Sequence, residues 1–189
     1  MIYLQDPLKG GDELKTELIL ADQSNGFIIK NMYPLYLHDL AGIHKTLPNE
    51  YGIFEEDPVK DLMEQYDIQK VWFEHPGALF PYLLKVDGRP AGFFLLAGGK
   101  FAQPDVDYFL YEAFILSPYR GQGLANEAMQ SIFSKHKGKW RFFTHATENN
   151  KRAQTFWRKT GGFITNENYA THEEEIEGMT KLVIEFTVM

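Results

Sequence analysis

A mixed α/β fold, built on a mostly antiparallel central sheet flanked by helices, is predicted by three features of this 189-residue chain. Residues 80–86 and 90–97 are apolar runs joined by Asp87-Gly88, a strong hairpin turn pair. Residues 124–136 carry Leu124, Ala125, Ala128, Met129, Ile132 and Phe133 as adjacent pairs every four positions, the signature of an amphipathic helix. Around these, the order reads as a helical first third, the hairpin, then strand, loop, helix, strand, helix and two strands.

Each element has its own warrant. Residues 17–22 read as a short first strand, and Ser24 or Asn25 caps a helix running towards Ala41, in which Pro34 predicts a kink or break. Residues 42–66 read as loop or weak helix, with a helix started by Asp57-Pro58. Residues 106–116, rich in aromatic and β-branched side chains, form a longer strand. The loop 117–123 leads into the amphipathic helix, which Gly138 stops. Residues 140–147 follow as a strand. Asn149 or Asn150 then caps a helix that packs through Ala153, Phe156 and Trp157 and ends at Gly161-Gly162. Strands at 163–170 and 181–188 close the chain around an acidic turn. No repeat or linker divides it, so a single domain over 1–189 with one core is expected.

Composition narrows the function. The chain has 44% apolar and 24% charged residues, the balance of a folded globular protein. No run approaches the ~18 apolar residues of a membrane span, and residues 1–10 lack the positive start and apolar run of a secretory leader. Cysteine is absent, which removes thiolate nucleophiles, disulfides and cysteine metal sites and is compatible with the cytoplasm. No histidine pair has zinc-ligand spacing, so no metal is expected. The net charge of -7 argues against a nucleic-acid partner. Within that acidic whole, a basic stretch from Lys135 to Lys159 suits a small anionic ligand or simply forms a solvated helical face.

The loop Ser117-Pro118-Tyr119-Arg120-Gly121-Gln122-Gly123 sits between a strand and a helix start. Such a junction binds anions, because loop and first-turn N–H groups have no intrahelical partner and glycine lets a ligand approach the backbone. The P-loop pattern is absent, and the third glycine of a dinucleotide fingerprint would fall on Asn126. A bare turn remains the alternative.

Arg120-Gly121-Gln122-Gly123-Leu124-Ala125 resembles the acyl-CoA loop of the GCN5-related N-acetyltransferases, Arg/Gln-x-x-Gly-x-Gly/Ala. Asn150-x-x-Ala153-x-x-Phe156-Trp157, followed by Gly161-Gly162-Phe163, is similar to a second element of that family. The resemblance covers residues 106 to about 165, with the 80–97 hairpin matching the preceding strands. The Tyr36-Leu37-His38-Asp39 segment and the Phe-Trp-Arg triplet resemble a bacterial branch of the family.

The resemblance implies an acetyltransferase fold and acetyl-CoA as acyl donor. It implies a pyrophosphate site on the N–H groups from Gly121 to Ala125 (Gly121, Gln122, Gly123, Leu124, Ala125), with Arg120 adding charge. Pantetheine would lie along Phe114, Ile115 and Leu116. Asn150, Phe156 and Trp157 would face the cofactor from the last helix. An amine acceptor, possession of a general base and a possible homodimer complete the expectation; an acyl-CoA-binding regulatory domain without activity is the alternative. Where the family often has tyrosine, this chain has Trp157, whose indole N–H cannot deliver a proton at neutral pH.

Two residues are candidate bases. Glu112 alternates with Leu110 and Phe114 on one strand face, where burial would raise its pKa towards a useful range; a structural carboxylate is the other reading. His145, late on the next strand, is either a second base or structural. His38 and Asp39 are candidates for the acceptor side.

Overall fold

The structure, a computed structural model, describes residues 15–55 and 59–189. In chain order it contains β1 (Thr16–Leu20), α1 (Phe27–His44), α2 (Leu62–Ile68), β2 (Leu79–Val86), β3 (Arg89–Gly98), β4 (Tyr108–Ile115), α3 (Leu124–Lys135), β5 (Gly138–His145), α4 (Lys151–Thr165), β6 (Ala170–Ile176) and β7 (Met179–Val188). The strands form one seven-stranded sheet in the order β1-β2-β3-β4-β5-β7-β6. Every neighbouring pair is antiparallel except β4–β5. The parallel pair follows from connectivity, since α3 returns the chain across the sheet before β5. The predicted fold class and element order therefore hold.

Both sheet faces are covered. On one face α1 places Ile29, Met32, Tyr33 and Tyr36 against Leu83, Phe93, Leu95 and Phe114. On the other, Leu124, Ala128, Met129, Ile132 and Phe133 of α3, with Trp157 of α4, pack on Phe94, Leu96, Trp140, Phe142 and Ile184. Adjacent residues Phe93 and Phe94 are each 0% exposed because they point into these two opposite layers. The β2–β3 turn is Asp87-Gly88 with φ of 49° and 74°, the backbone that a two-residue hairpin demands.

Several boundaries differ from expectation. Helix α1 runs unbroken through Pro34 to His44, held on the sheet by the aromatic layer beneath it. Helix α2 begins after Asp61, whose carboxylate accepts from the Met63 and Glu64 N–H groups; the expected start at Asp57-Pro58 lies outside the described residues. Gly138 opens β5 rather than merely ending α3. Gly161-Gly162 does not end α4, which continues to Thr165, so the strand expected at 163–170 is absent. Both glycines are buried, and a Cβ on Gly161 would lie 3.2 Å from Tyr169, while one on Gly162 would meet the Glu167 carboxylate at 2.6 Å. They serve close packing. The expected acidic turn is instead β6, whose Glu173, Glu174 and Glu175 pair with β7 at the sheet's outer edge.

Candidate active site

The parallel ladder between β4 and β5 is short. It pairs Tyr108 with Trp140, Phe109 with Arg141 and Leu110 with Phe142, and then stops, although β4 continues to Ile115 and β5 to His145. The end of β5 is held elsewhere. Buried Asn150 donates through Nδ2 to Thr144 Oγ1 (2.8 Å) and to the His145 carbonyl (2.9 Å), and Gln154 Nε2 donates to the same carbonyl (3.0 Å) and to Thr147 (2.8 Å). The strands part and leave a cavity of about 970 Å³, bounded by α1, β4, β5 and β7. One edge of β4 beyond Leu110 borders this space, a row of backbone groups on which an extended ligand can add as a strand does.

A β-bulge sets what β4 presents there. Leu96 pairs with Leu110 and Leu95 with Glu112, which leaves Tyr111 without a partner on β3. Leu110 thus packs in the α3–α4 layer while Phe114 packs in the α1 layer. The expectation that Glu112 shares a face with Leu110 and Phe114 is corrected: the extra residue shifts the phase, and Glu112 joins Phe114 under α1. There Tyr36 donates its hydroxyl hydrogen to Glu112 Oε2. The Glu112 carboxyl is enclosed by protein, while the residue keeps a partial view of the cavity. Burial raises its pKa from 4.5 to about 8, partly offset by the positive charge of Lys181. Tyr33 lies in the same group; burial raises its pKa most, followed by the negative charges of Glu112 and Glu55.

His145 is in a different state. Its ring centroid is 3.9 Å from that of His44. Burial, then His44 and Lys181, lower its pKa from 6.5 to about 4, so it is a neutral imidazole at physiological pH and a weak base.

The glycine loop lies at the α3 N-terminus. Gly121 and Gly123 adopt φ of 79° and 81°, which glycine reaches without Cβ strain. Arg120, Asn126 and Glu127 donate their N–H groups to Ser117 and Gly123 carbonyls. Among the described residues, the N–H groups of Gly121, Gln122, Gly123, Leu124 and Ala125 between them reach no backbone carbonyl. A Cβ on Gly123 would meet nothing within 4 Å, so that backbone is open to approach, and Arg152 Nη2 lies 3.8 Å from where a Gly121 Cβ would stand.

The other expected residues divide. Phe114, Ile115, Asn150 and Trp157 line the cavity; Leu116 and Phe156 do not. Leu116 donates its N–H to Ala91 and packs in the α1 layer. Trp157 packs between Phe142 (ring planes at 52°) and Phe156 (edge-on, 69°), with centroids 4.7 Å from each, and is 8% exposed. Arg120 is turned away from the loop: Nε donates to the Ile115 carbonyl (2.7 Å), Nη2 pairs with Asp39, and the guanidinium lies over Phe114. Asp39 thus lines the cavity as a partner of Arg120, while His38 stands against Phe54 outside it. Sequence reasoning missed Tyr33, His44, Glu55 and Lys181. Only Lys181 left a trace, as a charge immediately before the apolar run Leu182-Val183-Ile184. Among the described residues, no group of three or more His, Asp or Glu gathers with metal-site geometry, and no helix is long and apolar enough to cross a membrane.

Comparison with curated proteins finds no match. Among solved structures, an acetyltransferase from Thermus thermophilus aligns over 93% of this chain and 98% of its own, with 16% identity and a TM-score of 0.60. An N-acetyltransferase from Staphylococcus aureus Mu50 aligns over 90% and 100%, with 14% identity and a TM-score of 0.61. The protein described as histone acetyltransferase HPA2 and related acetyltransferase, from Corynebacterium glutamicum, aligns over 92% and 97%, with 12% identity and a TM-score of 0.62. These likenesses establish the shared fold. The sequence itself matches the acetyltransferase (GNAT) family over residues 41–163, a span that contains the parting strands, Glu112 and the glycine loop. With well over half of its length matched, the chain belongs to the GNAT family of acetyltransferases.

Proposed function

We propose that this enzyme moves the acetyl group of acetyl-CoA directly onto a primary amine, with Glu112 as the general base. The observation that carries the reading is Glu112 itself: a carboxyl enclosed beside the free edge of β4, bonded to Tyr36, with a pKa raised to about 8. An amine of ordinary pKa ~10.4 arrives protonated at neutral pH and cannot attack until it loses a proton. A base poised near the working pH accepts it efficiently, whereas His145, at about 4, does not.

The donor pyrophosphate would lie on the N–H groups from Gly121 to Ala125, helped by the positive end of α3. The loop amides and Arg152 supply attraction there; Arg120, already paired with Asp39, supplies order by tying the loop to β4 and α1. The pantetheine amides suit the free edge of β4.

The proposed step balances. The ammonium gives one proton to the Glu112 carboxylate, and the freed nitrogen attacks the thioester carbonyl. A C–N bond forms, negative charge develops on the carbonyl oxygen, and N–H donors along the cavity edge of β4 stabilise it. The C–S bond then breaks, and the second proton of the nitrogen passes to the departing sulfur, directly or through water. Trp157 takes no part in proton transfer, because its N–H does not ionise in this range.

The test is release of free CoA from acetyl-CoA over a panel of small amines and peptides at pH 6 to 9. Amine-dependent release whose rate rises with an apparent pKa near 8, and loses that dependence in Glu112→Gln, supports the reading. Tight acetyl-CoA binding without release for any amine refutes it.

A further inference from the structure

Apart from Glu177 on the β6–β7 turn, the titratable groups around the cavity fall into two sets. Glu112 and Glu55 gather about Tyr33 and Tyr36 under α1. His44, His145 and Lys181 gather at the other side, where β7 meets the end of β5. Asp39 and Arg120 neutralise one another. Lys181 is close enough that its charge reaches Glu112.

Lys181 is the unusual member. Its side chain is 6% exposed, yet it lines the cavity. Its ion partner is Glu177, at 3.6 Å, beyond hydrogen-bond length, and that carboxylate is 79% exposed on the β6–β7 turn. Its other neighbour is the face of Phe143, 4.3 Å away. Among the described residues, the contacts of this buried ammonium are a distant, hydrated carboxylate and a ring, with Glu112 acting on it only through space, so it is poorly compensated. The adjoining His145 is a neutral imidazole, able to share a hydrogen bond with an incoming anion without adding charge.

We propose that Lys181 anchors a carboxylate of the acceptor, so that the substrate is a small zwitterion carrying both a primary amine and a carboxylate. This rests on the acetyl-transfer reading, which puts the amine at Glu112. The acidic set then receives the ammonium and the basic set the carboxylate. One buried cation matches one negative charge; a phosphate dianion would bring a second charge for which Lys181 has no counterpart. The cavity volume of about 970 Å³ must also admit the acetyl end of the donor, which confines the acceptor to a small molecule rather than a folded protein surface.

The experiment is calorimetric binding to the full-length protein, with and without saturating CoA. The probes are the common L-amino acids and a ladder of straight-chain ω-amino acids from glycine to aminohexanoate, each paired with its own carboxamide. The amide keeps the amine and the chain and loses only the charge. At least one acid should bind about 10- to 100-fold more tightly than its amide, as a charge-assisted contact implies. Lys181→Met should bring that ratio near one, and Lys181→Arg should retain most of it. Equal binding of acids and amides by the native protein, binding of no acid, or a ratio that survives Lys181→Met overturns the proposal. The native comparison and Lys181→Arg decide the matter if Lys181→Met does not fold. CoA release separates the two readings: an acid that binds through Lys181 without releasing CoA from acetyl-CoA refutes transfer and leaves the anchor, while equal release with acids and amides does the reverse.

Discussion

The glycine loop and the cavity adjoin at the C-terminal end of β4, and they are built in opposite ways. The loop is local: seven consecutive residues, two glycines at positive φ and backbone N–H groups at a helix start. What it offers a ligand belongs to the main chain. The cavity is assembled. Glu112 comes from a bulged strand, Tyr33, Tyr36 and His44 from α1, Glu55 from a loop, His145 from β5 and Lys181 from β7. Its chemistry depends on how burial and charge from distant segments act on one another. A recognisable motif therefore marks the proposed donor side, while the proposed acceptor side has no motif at all.

That contrast can be broken most forcefully at Glu112. Glu112→Gln keeps the shape and the Tyr36 contact but removes the base. kcat/KM at neutral pH should fall about 100- to 10,000-fold, the acidic limb near pH 8 should vanish, and donor affinity should stay unchanged. An unaltered pH profile would make Glu112 structural.

The converse change belongs to the loop. Gly123→Glu introduces a negative charge and a Cβ at φ of 81°, into a site suited to phosphate. Donor affinity should weaken about 100-fold by like-charge repulsion, with the circular dichroism of the native fold preserved. Native affinity in the folded variant would move the pyrophosphate elsewhere.

Stability sharpens the comparison, because only the cavity carries a titratable strain. The folded pKa of Glu112 is above its ordinary value of 4.5, so the folded state holds this proton more tightly than the unfolded chain. Its contribution to stability is full below pH 4.5 and is lost as pH rises towards about 8. Glu112→Gln should flatten that slope and stabilise the protein at neutral pH, by on the order of 1–3 kcal/mol. His145 works in the opposite direction: its lowered pKa removes stability as pH falls from 6.5 towards 4. Denaturant titrations across pH, with the His145→Gln variant alongside, distinguish the two.

The smallest effects lie where the two regions touch. The Asp39–Arg120 pair is 41% and 37% exposed, so Asp39→Asn should change stability by at most about 1 kcal/mol and KM by no more than about 5-fold. Trp157→Phe should keep kcat within about 3-fold, since the ring fills space between Phe142 and Phe156; a loss beyond ~100-fold with unchanged donor affinity would assign its N–H a direct role.

Four misread places show where sequence reasoning stops. The i, i+2 spacing of Leu110 and Glu112 implies one face, but the unpaired Tyr111 between them puts them on opposite faces. Gly161-Gly162 carries the stop signal of a helix, yet Tyr169 and Glu167 occupy the space that side chains at these two buried glycines would need. The acidic run 173–175 reads as a turn because its charges suit solvent, and an edge strand meets the same demand. Arg120 sits in an anion-binding motif, but Asp39 on α1, 81 positions away, takes its charge.

What the sequence determined by itself is local and periodic. Asp87-Gly88 set a hairpin because its backbone demand falls on two adjacent residues. The paired apolar residues of α3 set the helix and its buried face. Gly121 and Gly123 set a loop of open main-chain N–H groups, on which the proposed anion site rests. Together with the second motif at Asn150, these sufficed for the fold class and the family resemblance. Only the tertiary structure decided the state of the side chains: that Glu112 is raised to about 8 while His145 is lowered to about 4, and that Lys181 is buried beside a cavity. A side chain's charge depends on solvent exclusion and on partners many residues away. Those quantities exist only once β4 has bulged, β5 has parted from it and α1 has closed over both.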